Sequence, residues 1–390
     1  MKTAHEALAV ALLAAVRAQD FGNTPDAWGG GAAVAAFPSI DLAVADFAHA
    51  GGPRWANVLF SREFPQGRVA AIGSDADAVQ GLRFDADQQD ARHESVAWRP
   101  GADWSRLGWT PIDATHATAP QRFVAPYPAS LLKLMVAVGV GLAVQRGLCD
   151  WPAALEPMIT ASDNDATDDC VALLHRVGLL TPGRGSPLNT VFAAWGLGTL
   201  QVNDTTPRGG WRNADGTGVG HIHMTAWDTV RLLWLLDPQA PPAPWLSAGT
   251  PTLQPATREP LLAVLSRQQR DEVLSSGRLR GLPGWVPGLP DAPAFAHKTG
   301  STDNYAADTG IVTSGGRHYA VAVLTSLGRR FAPHEGCATT WRLPALGAAI
   351  DALLAPAAAG ATAAQRPAVP AGQPRCADNS SLVSSHLFRP

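Results

Sequence analysis

The hydrophobic positions change period several times along the chain, and each change marks an expected element. Ala7 to Val16 is a continuous apolar run. It reads either as the body of a first amphipathic helix, Thr3 to Gln19, or as the apolar part of a secretory leader covering residues 1–18, with Val16-Arg17-Ala18 as the cleavage site. Glu6 and Arg17 weigh against the leader. Residues 20–54 are rich in Gly, Ala and Pro and read as a lead-in with one helical patch, Asp41 to His49. From Trp55 the pattern is that of strands: Trp55 to Phe60, Arg68 to Ile72 and Ala78 to Phe84, parted by Gly, Asp and Pro. An antiparallel meander is expected. Residues 85–120 keep neither period and carry Trp98, Trp104 and Trp109, an insertion whose aromatic residues either anchor a surface loop or wall a binding site.

The most apolar segment comes next. Ala129 to Arg146, with LLKLMVAVGVGLAV inside it, has almost no polar face, so its helix is expected to be buried on most sides. Pro126 and Pro128 hold the chain extended before it. Further helical patterns cover Ala153 to Thr160, Asp165 to Val177, Asn189 to Leu197, and Arg258 to Ser275; another runs to Leu236 from a capping-box-like start at Thr225-Ala226-Trp227-Asp228. Strand patterns return at Ala294 to Gly300, Asp308 to Thr313 and His318 to Leu324, with Ser314-Gly315-Gly316 as the hairpin turn between the last two. An amphipathic helix, Trp341 to Leu354, follows, and from Pro356 the Ala/Pro/Gly composition indicates a flexible tail. The expected organisation is a lead-in at 1–54, one domain at 55–355 and a tail at 356–390.

Composition narrows the function classes. With 390 residues, 46% of them hydrophobic, the chain can bury a large core. A formal net charge of −3 gives no basic field, which argues against a nucleic-acid partner or an anionic membrane surface. No stretch approaches the roughly 18 to 20 apolar residues that a membrane span needs, so no transmembrane segment is expected. The protein is read as a monomer, periplasmic or secreted if residues 1–18 are a leader and cytoplasmic otherwise. Cys149, Cys170, Cys337 and Cys376 show no C-x-x-C spacing. Buried free thiols are the default, with a Cys337–Cys376 disulfide open to an exported protein. His221 and His223 are two apart, as zinc ligands can be, but no third ligand of suitable spacing follows and loop hydrogen bonding is the favoured reading.

The candidate chemistry starts at the buried helix. Ser130 and Lys133 stand three apart at its head and share one face, so the lysine amine can reach the serine hydroxyl. Burial disfavours an ammonium, so Lys133 is expected to serve as a neutral base. Ser130 falls in the first turn, where the positive end of the helix dipole favours developing negative charge. Ser162-Asp163-Asn164 follows in the turn between two helices, where Ser162 or Asp163 would also serve as a plain N-cap. Lys298-Thr299-Gly300 closes a strand with a glycine that permits close approach. Each motif alone is weak. The ordered triple S-x-x-K, S-D-N and K-T-G resembles the penicillin-recognising serine hydrolases, which include class A β-lactamases and the DD-peptidases called penicillin-binding proteins. LEPMITASDNDATDDCVALL and PLLAVLSRQQRDEVLSSGRLRGLPGWVPGL, the latter leading into HKTGS, look like class A β-lactamase helices in the same order. The resemblance covers roughly residues 120 to 355.

That resemblance implies an α+β fold of the β-lactamase/transpeptidase type, an antiparallel sheet flanked by helices with a helical subdomain carrying S-D-N. It implies that Ser130 attacks a carbonyl to form an acyl-enzyme while Lys133 takes its proton. Ser162 would relay a proton to the leaving nitrogen, Asn164 would hold the substrate amide and Lys133, and Lys298 would supply positive potential. Thr299 and Ser301 would bind a substrate carboxylate, with Gly300 and Thr302 in the same substrate-binding stretch, and the Ser130 and Ser301 amides would form the oxyanion hole. No metal or cofactor is needed, and the partner is a small-molecule or peptide substrate, a β-lactam or an acyl amide or ester.

Two departures qualify the match. Class A enzymes carry an omega-loop Glu in an E-x-x-x-N pattern, whereas QVNDTTPRGGWRNADGTG has Thr206-Pro207 where Glu-Pro is expected, and no glutamate lies between Glu156 and Glu259. Asp204 or Asp215 would have to substitute. STDNYAADTG, from Ser301 to Gly310, looks more like the penicillin-binding proteins and lacks the carboxylate-clamping arginine, since Arg317 is at the far end of the next strand. The leading expectation is a β-lactamase-like serine hydrolase. A DD-carboxypeptidase or transpeptidase, in which Lys133 serves both half-reactions, and a penicillin-binding sensor without turnover are the alternatives.

Overall fold

A computed structural model describes residues 3–72, 75–76, 79–84, 109–112, 119, 121–210 and 222–356. In chain order the elements of the first third are α1 (Ala4–Arg17), β1 (Ile40–Asp46), β2 (Arg54–Phe60), β3 (Arg68–Ile72), β4 (Asp75–Ala76), β5 (Val79–Phe84), β6 (Trp109–Pro111) and β7 (Gln121–Val124). The middle holds α2 (Lys133–Gln145), α3 (Leu155–Thr160), α4 (Asn164–Arg176), α5 (Pro187–Ala194), β8 (Gln201–Val202), β9 (Ile222–His223), α6 (Ala226–Leu236) and α7 (Pro255–Leu265). The last part is β10 (Phe295–Ser301), β11 (Ala306–Ser314), β12 (Arg317–Thr325) and α8 (Arg342–Leu353). Seven strands make the main sheet in the order β10-β11-β12-β1-β2-β3-β4, each pair antiparallel. This is the expected α+β, β-lactamase/transpeptidase-like architecture.

The sheet separates two cores. Ile40, Leu42 and Val44 of β1 pack with Leu8, Leu12 and Val16 of α1 and with Leu346 and Ile350 of α8 on one face. Ala43 and Ala45 turn to the other face, into the core built around α2, α4 and α6. β1 is thus buried on both faces. Its IDLAVAD sequence therefore lacks the alternation that marks a half-exposed strand, which is why a helical patch is expected at Asp41 to His49 where a central strand is found. β1 pairs β2 on one side and β12 on the other, and α1 packs on the same sheet. α1 itself carries a capping box between Thr3 and Glu6 and buries Leu8, Ala9, Leu12 and Val16.

One buried carboxylate links sheet to helix. Asp41 accepts the Ala226 N–H at the start of α6 (2.8 Å) and the Asn57 amide (2.7 Å), and burial pushes its pKa up to about 6. α2 runs through the middle of the helical core, and Gly139 is what lets α4 and α5 approach it, since a Cβ there would stand 2.9 Å from Leu174 and 3.0 Å from Leu188. The expected strand at Ala78 to Phe84 exists as β5 but leaves the meander for a separate small sheet, antiparallel to β6 and parallel to β7. Trp98 and Trp104 lie outside the described residues, and Trp109 begins β6.

The helix expected over Arg258 to Ser275 stops at Leu265. Beyond it the polar run Ser266-Arg267-Gln268-Gln269-Arg270-Asp271 leaves the apolar stripe, and its hydrogen bonds are made to other elements. Cys149 and Cys170 are free, whereas Cys337, expected by default as a thiol, is disulfide-bonded, its partner outside the described residues. No helix among the described residues is long and apolar enough to cross a membrane.

Because α1 is packed into the sheet, Leu12→Ala should cost roughly 2–5 kcal/mol of unfolding free energy, measured by urea denaturation. A segment lying loose beside the domain would give no such loss.

Candidate active site

The Ser162-Asp163-Asn164 turn divides its labour residue by residue. Asp163 is the N-cap of α4 and accepts the Ala166 N–H at 2.7 Å. Capping fixes the turn, and Ser162 sits in it with a left-handed backbone, φ 60°. That conformation turns Ser162 toward two buried lysines. Its hydroxyl oxygen accepts from Lys298 Nζ at 2.9 Å and from Lys133 Nζ at 3.2 Å. Both lone pairs of the hydroxyl are then occupied, so its own proton points away from the lysines and is available to donate.

Lys133 and Lys298 are each fully buried. Lys133 donates to the Ser162 carbonyl at 2.6 Å, the Asp163 carbonyl at 3.2 Å and Asn164 Oδ1 at 2.9 Å. Asn164 thus holds the Lys133 amine. Ser130 stands one turn ahead in a 3-10 turn, Ala129–Leu132, that begins with Ala129 in the left-handed region. These bonds tie the Lys133 amine to the S-D-N turn. Lys298 also donates to its neighbour's carbonyl, Thr299 O, at 2.8 Å. Burial, and then the nearby charge of Lys133, push its pKa well below the ordinary lysine value, with Glu272 and Asp308 pulling the other way.

The strand that carries Lys298 presses on the Ser130 turn through a glycine. A Cβ at Gly300 would stand 2.3 Å from Pro128 O, 2.7 Å from Leu131 N and 3.1 Å from Ser130 N. No side chain fits there, and the glycine brings the Ser130 amide against β10 beside Ser301. Thr299 is buried and Ser301 half-buried at the strand's end. The Thr302 hydroxyl oxygen accepts Asn304 N–H at 3.3 Å and Tyr305 N–H at 3.0 Å, closing the turn between β10 and β11. Arg317 is ion-paired to Asp351 of α8 at 3.1 Å, at the far end of β12 as expected. Asp204 ion-pairs with Arg184 across 3.9 Å, while Asp215 and His221 lie outside the described residues. Thr206 N–H donates to Gly210 O at 2.7 Å, so the Thr206-Pro207 segment forms a closed turn. Among the described residues no cluster of His, Cys, Asp and Glu could hold a metal ion.

Behind β10 lies a charged group that the motif pattern missed. His297 is fully buried, with Nδ1 at 2.8 Å from Asp308 and Nε2 at 3.2 Å from Asp271. Burial alone would lower its pKa, but the two carboxylates outweigh that and raise it to about 9. Asp271 is held low by His297, against its own burial. The one available signal in the sequence was a histidine directly before K-T-G in a strand expected to be buried.

Known proteins bear on this site. The model of the beta-lactamase enzyme family matches residues 146–340, half of the chain; it takes in the Ser162 turn and the Lys298 strand and begins after Lys133. No curated protein matches. Among solved structures, the chain is similar to a beta-lactamase from Sphaerobacter thermophilus at 15% identity, covering 87% of this chain and 95% of that one, TM-score 0.45. It is similar to a beta-lactamase from Desulfarculus baarsii at 16% identity, covering 89% and 97%, TM-score 0.42. It is also similar to PBP-A at 22% identity, covering 58% and 78%, TM-score 0.39.

Gly300→Ala is expected to push β10 off the nucleophile turn and lower acylation of Ser130 by about a hundredfold or more, read with a fluorescent penicillin. His297 gives a second expectation. Its folded-state pKa lies above the ordinary 6.5, so its stabilisation is complete below about 6.5 and is lost as pH rises through about 9. Thermal melts should show that alkaline decline in the wild type and a flatter profile in His297→Gln.

Proposed function

We propose, for a chain that belongs to the beta-lactamase enzyme family, that Ser130 is the nucleophile of a serine acyl transfer whose protons pass through Lys133 and Ser162. The observation that carries this reading is the Ser162 hydroxyl held by both buried lysines, one from S-x-x-K and one from K-T-G. In the first half-reaction Ser130 Oγ attacks the substrate carbonyl while neutral Lys133 accepts its proton. Collapse of the tetrahedral intermediate breaks the bond to the leaving nitrogen or oxygen. Ser162 donates its proton to that atom and is reprotonated by Lys133, which returns to its starting state. The Ser130 and Ser301 amides face the developing oxyanion, where fixed dipoles count most.

The substrate is a small molecule or peptide bearing a carboxylate, which Lys298, Thr299 and Ser301 receive at the end of β10. Gly300 keeps that strand close enough to serve both the carboxylate and the oxyanion. A β-lactam fits this description, as does an acyl amide or ester. The protein acts as a monomer in this reading.

Deacylation is the slow half. No glutamate stands in the segment around Thr206-Pro207, and Asp204 is engaged by Arg184. Lys133 then has to activate the hydrolytic water as well, which is the arrangement of a DD-carboxypeptidase or transpeptidase. The second reading, a peptidase acting on acylated peptide ends, is favoured by that one observation. A sensor that is acylated without turnover is the limit of the same argument.

Incubation with a fluorescent penicillin should label Ser130, found by mass spectrometry of the adduct, and Ser130→Ala should abolish the label. Nitrocefin hydrolysis should be slow, with the adduct accumulating. Rapid nitrocefin turnover in the wild type would overturn the argument for slow deacylation, and a label retained in Ser130→Ala would overturn the nucleophile.

A further inference from the structure

The segment that follows α7 joins the two halves of the site. Gln268, almost fully buried, donates from Nε2 to Ile159 O at 3.0 Å and to His297 O at 3.4 Å. Its Oε1 accepts the Gln269 and Arg270 N–H groups, both at 3.0 Å, which shapes the segment. Gln269 N–H donates to Thr160 O at 3.0 Å, and Arg270 Nε to Ala161 O at 3.3 Å. Three consecutive carbonyls at the end of α3, those of Ile159, Thr160 and Ala161, are thereby taken up, and the next residue is Ser162. On its other side the segment is tied to the strands. Asp271 meets His297 of β10, and Asp308 of β11 bonds His297 through one oxygen and the Leu274 N–H, at 3.0 Å, through the other.

We propose that Gln268, Asp271, His297 and Asp308 form a positioning network that sets the distance between the Ser162 turn and Lys298, and through it the rate at which Ser130 is acylated. This rests on the acyl-transfer reading above. None of the four touches the nucleophile. Their effect passes through two rigid connections: the carbonyls that lead into Ser162, and β10, where Lys298 follows His297. Ser162 and Lys298 come from opposite sides of the sheet-to-helix boundary, and the polar segment after α7 bridges it with hydrogen bonds to both sides. A hydrogen-bonded brace of this kind fixes geometry that apolar packing alone leaves loose.

Asp271 and Asp308 contact the imidazole directly, and further charged groups stand nearby. Asp271 and Glu272, with Arg270 and Arg278, come from the segment after α7; Asp308 comes from β11, and Lys298 is next along β10. A protonated His297 can donate to both carboxylates at once. Once neutral it keeps one N–H and faces the second carboxylate with a lone pair, so one arm of the brace opens.

The test uses the full chain and compares Gln268→Ala, Asp271→Ala, Asp271→Asn and His297→Gln with wild type. Second-order labelling of Ser130 by a fluorescent penicillin is followed across pH, together with histidine 15N NMR and amide exchange of the peptides spanning 159–164 and 297–301. Gln268→Ala removes no ionisable group; it is expected to slow labelling by about tenfold at every pH and to raise exchange in both peptides together. Asp271→Ala should move the His297 titration and the alkaline limb of labelling to lower pH in step, and Asp271→Asn, which keeps an oxygen to accept from His297, should restore most of the rate. Gln268→Ala and Asp271→Ala labelling at the wild-type rate with an unmoved limb, or exchange rising in only one of the two peptides, would sink the proposal. A wild type that penicillin does not label, but whose two peptides still open together in Gln268→Ala, would sink the acyl-transfer reading and leave the coupling standing.

Discussion

Two buried lysine amines share one hydroxyl, and the rest of the site is arranged around the repulsion that arises when both are charged. Since each lies within hydrogen-bond reach of Ser162 Oγ, the two nitrogens are no more than about 6 Å apart. At an effective dielectric near 20 that proximity costs roughly 3 kcal/mol when both are charged. The surroundings offset it with oxygens: the Ser162 and Asp163 carbonyls and Asn164 around Lys133, and Thr299 O beside Lys298. Glu272 and Asp308 add negative charge from behind the strand. Repulsion also loosens the protons, which is what acid–base chemistry at a lysine requires. In the acyl-transfer reading the same contact is therefore the main cost of the site and the source of its chemistry.

Holding such a contact needs backbone that ordinary packing does not supply. Ser162 is in the left-handed region, Ala129 likewise, and Gly300 is pressed onto Pro128 and Leu131 with no space for a side chain. Conformations of this kind persist where neighbours over-determine them. Here the neighbours are the Asp163 cap on one side and the paired strands β10 and β11 on the other.

What could be read from the sequence was the chemistry that is local in the chain. Ser130 and Lys133 are one helical turn apart, Ser162 to Asn164 and Lys298 to Gly300 are contiguous, and their order carried the rest. Gly315-Gly316 was likewise visible as a hairpin turn, and both residues have the positive φ that such a turn takes. Elements whose identity depends on distant partners were not legible. β1 is apolar on both faces because it lies mid-sheet, and nothing in IDLAVAD distinguishes that from a short helix. α7 ends where Gln268 finds a better partner in Ile159 O and His297 O than a further helical turn would offer. The turn that the Thr302 hydroxyl closes is not visible in the run of residues, and His297 gains its charge from Asp271 and Asp308 across the fold.

The placement of α1 and α8 has a practical side. Both lie on the sheet face opposite α2, and they touch each other, with the Arg342 side chain bonded to Asn23 O just after α1. Their outward surfaces thus face away from the Ser130 turn. A fluorophore, an affinity handle or a surface-immobilisation linker attached to the exposed side of either helix, for instance at Val10, would leave the approach of substrate to Ser130 open. The sheet acts as a partition, which lets the protein be anchored by its back while its front is assayed.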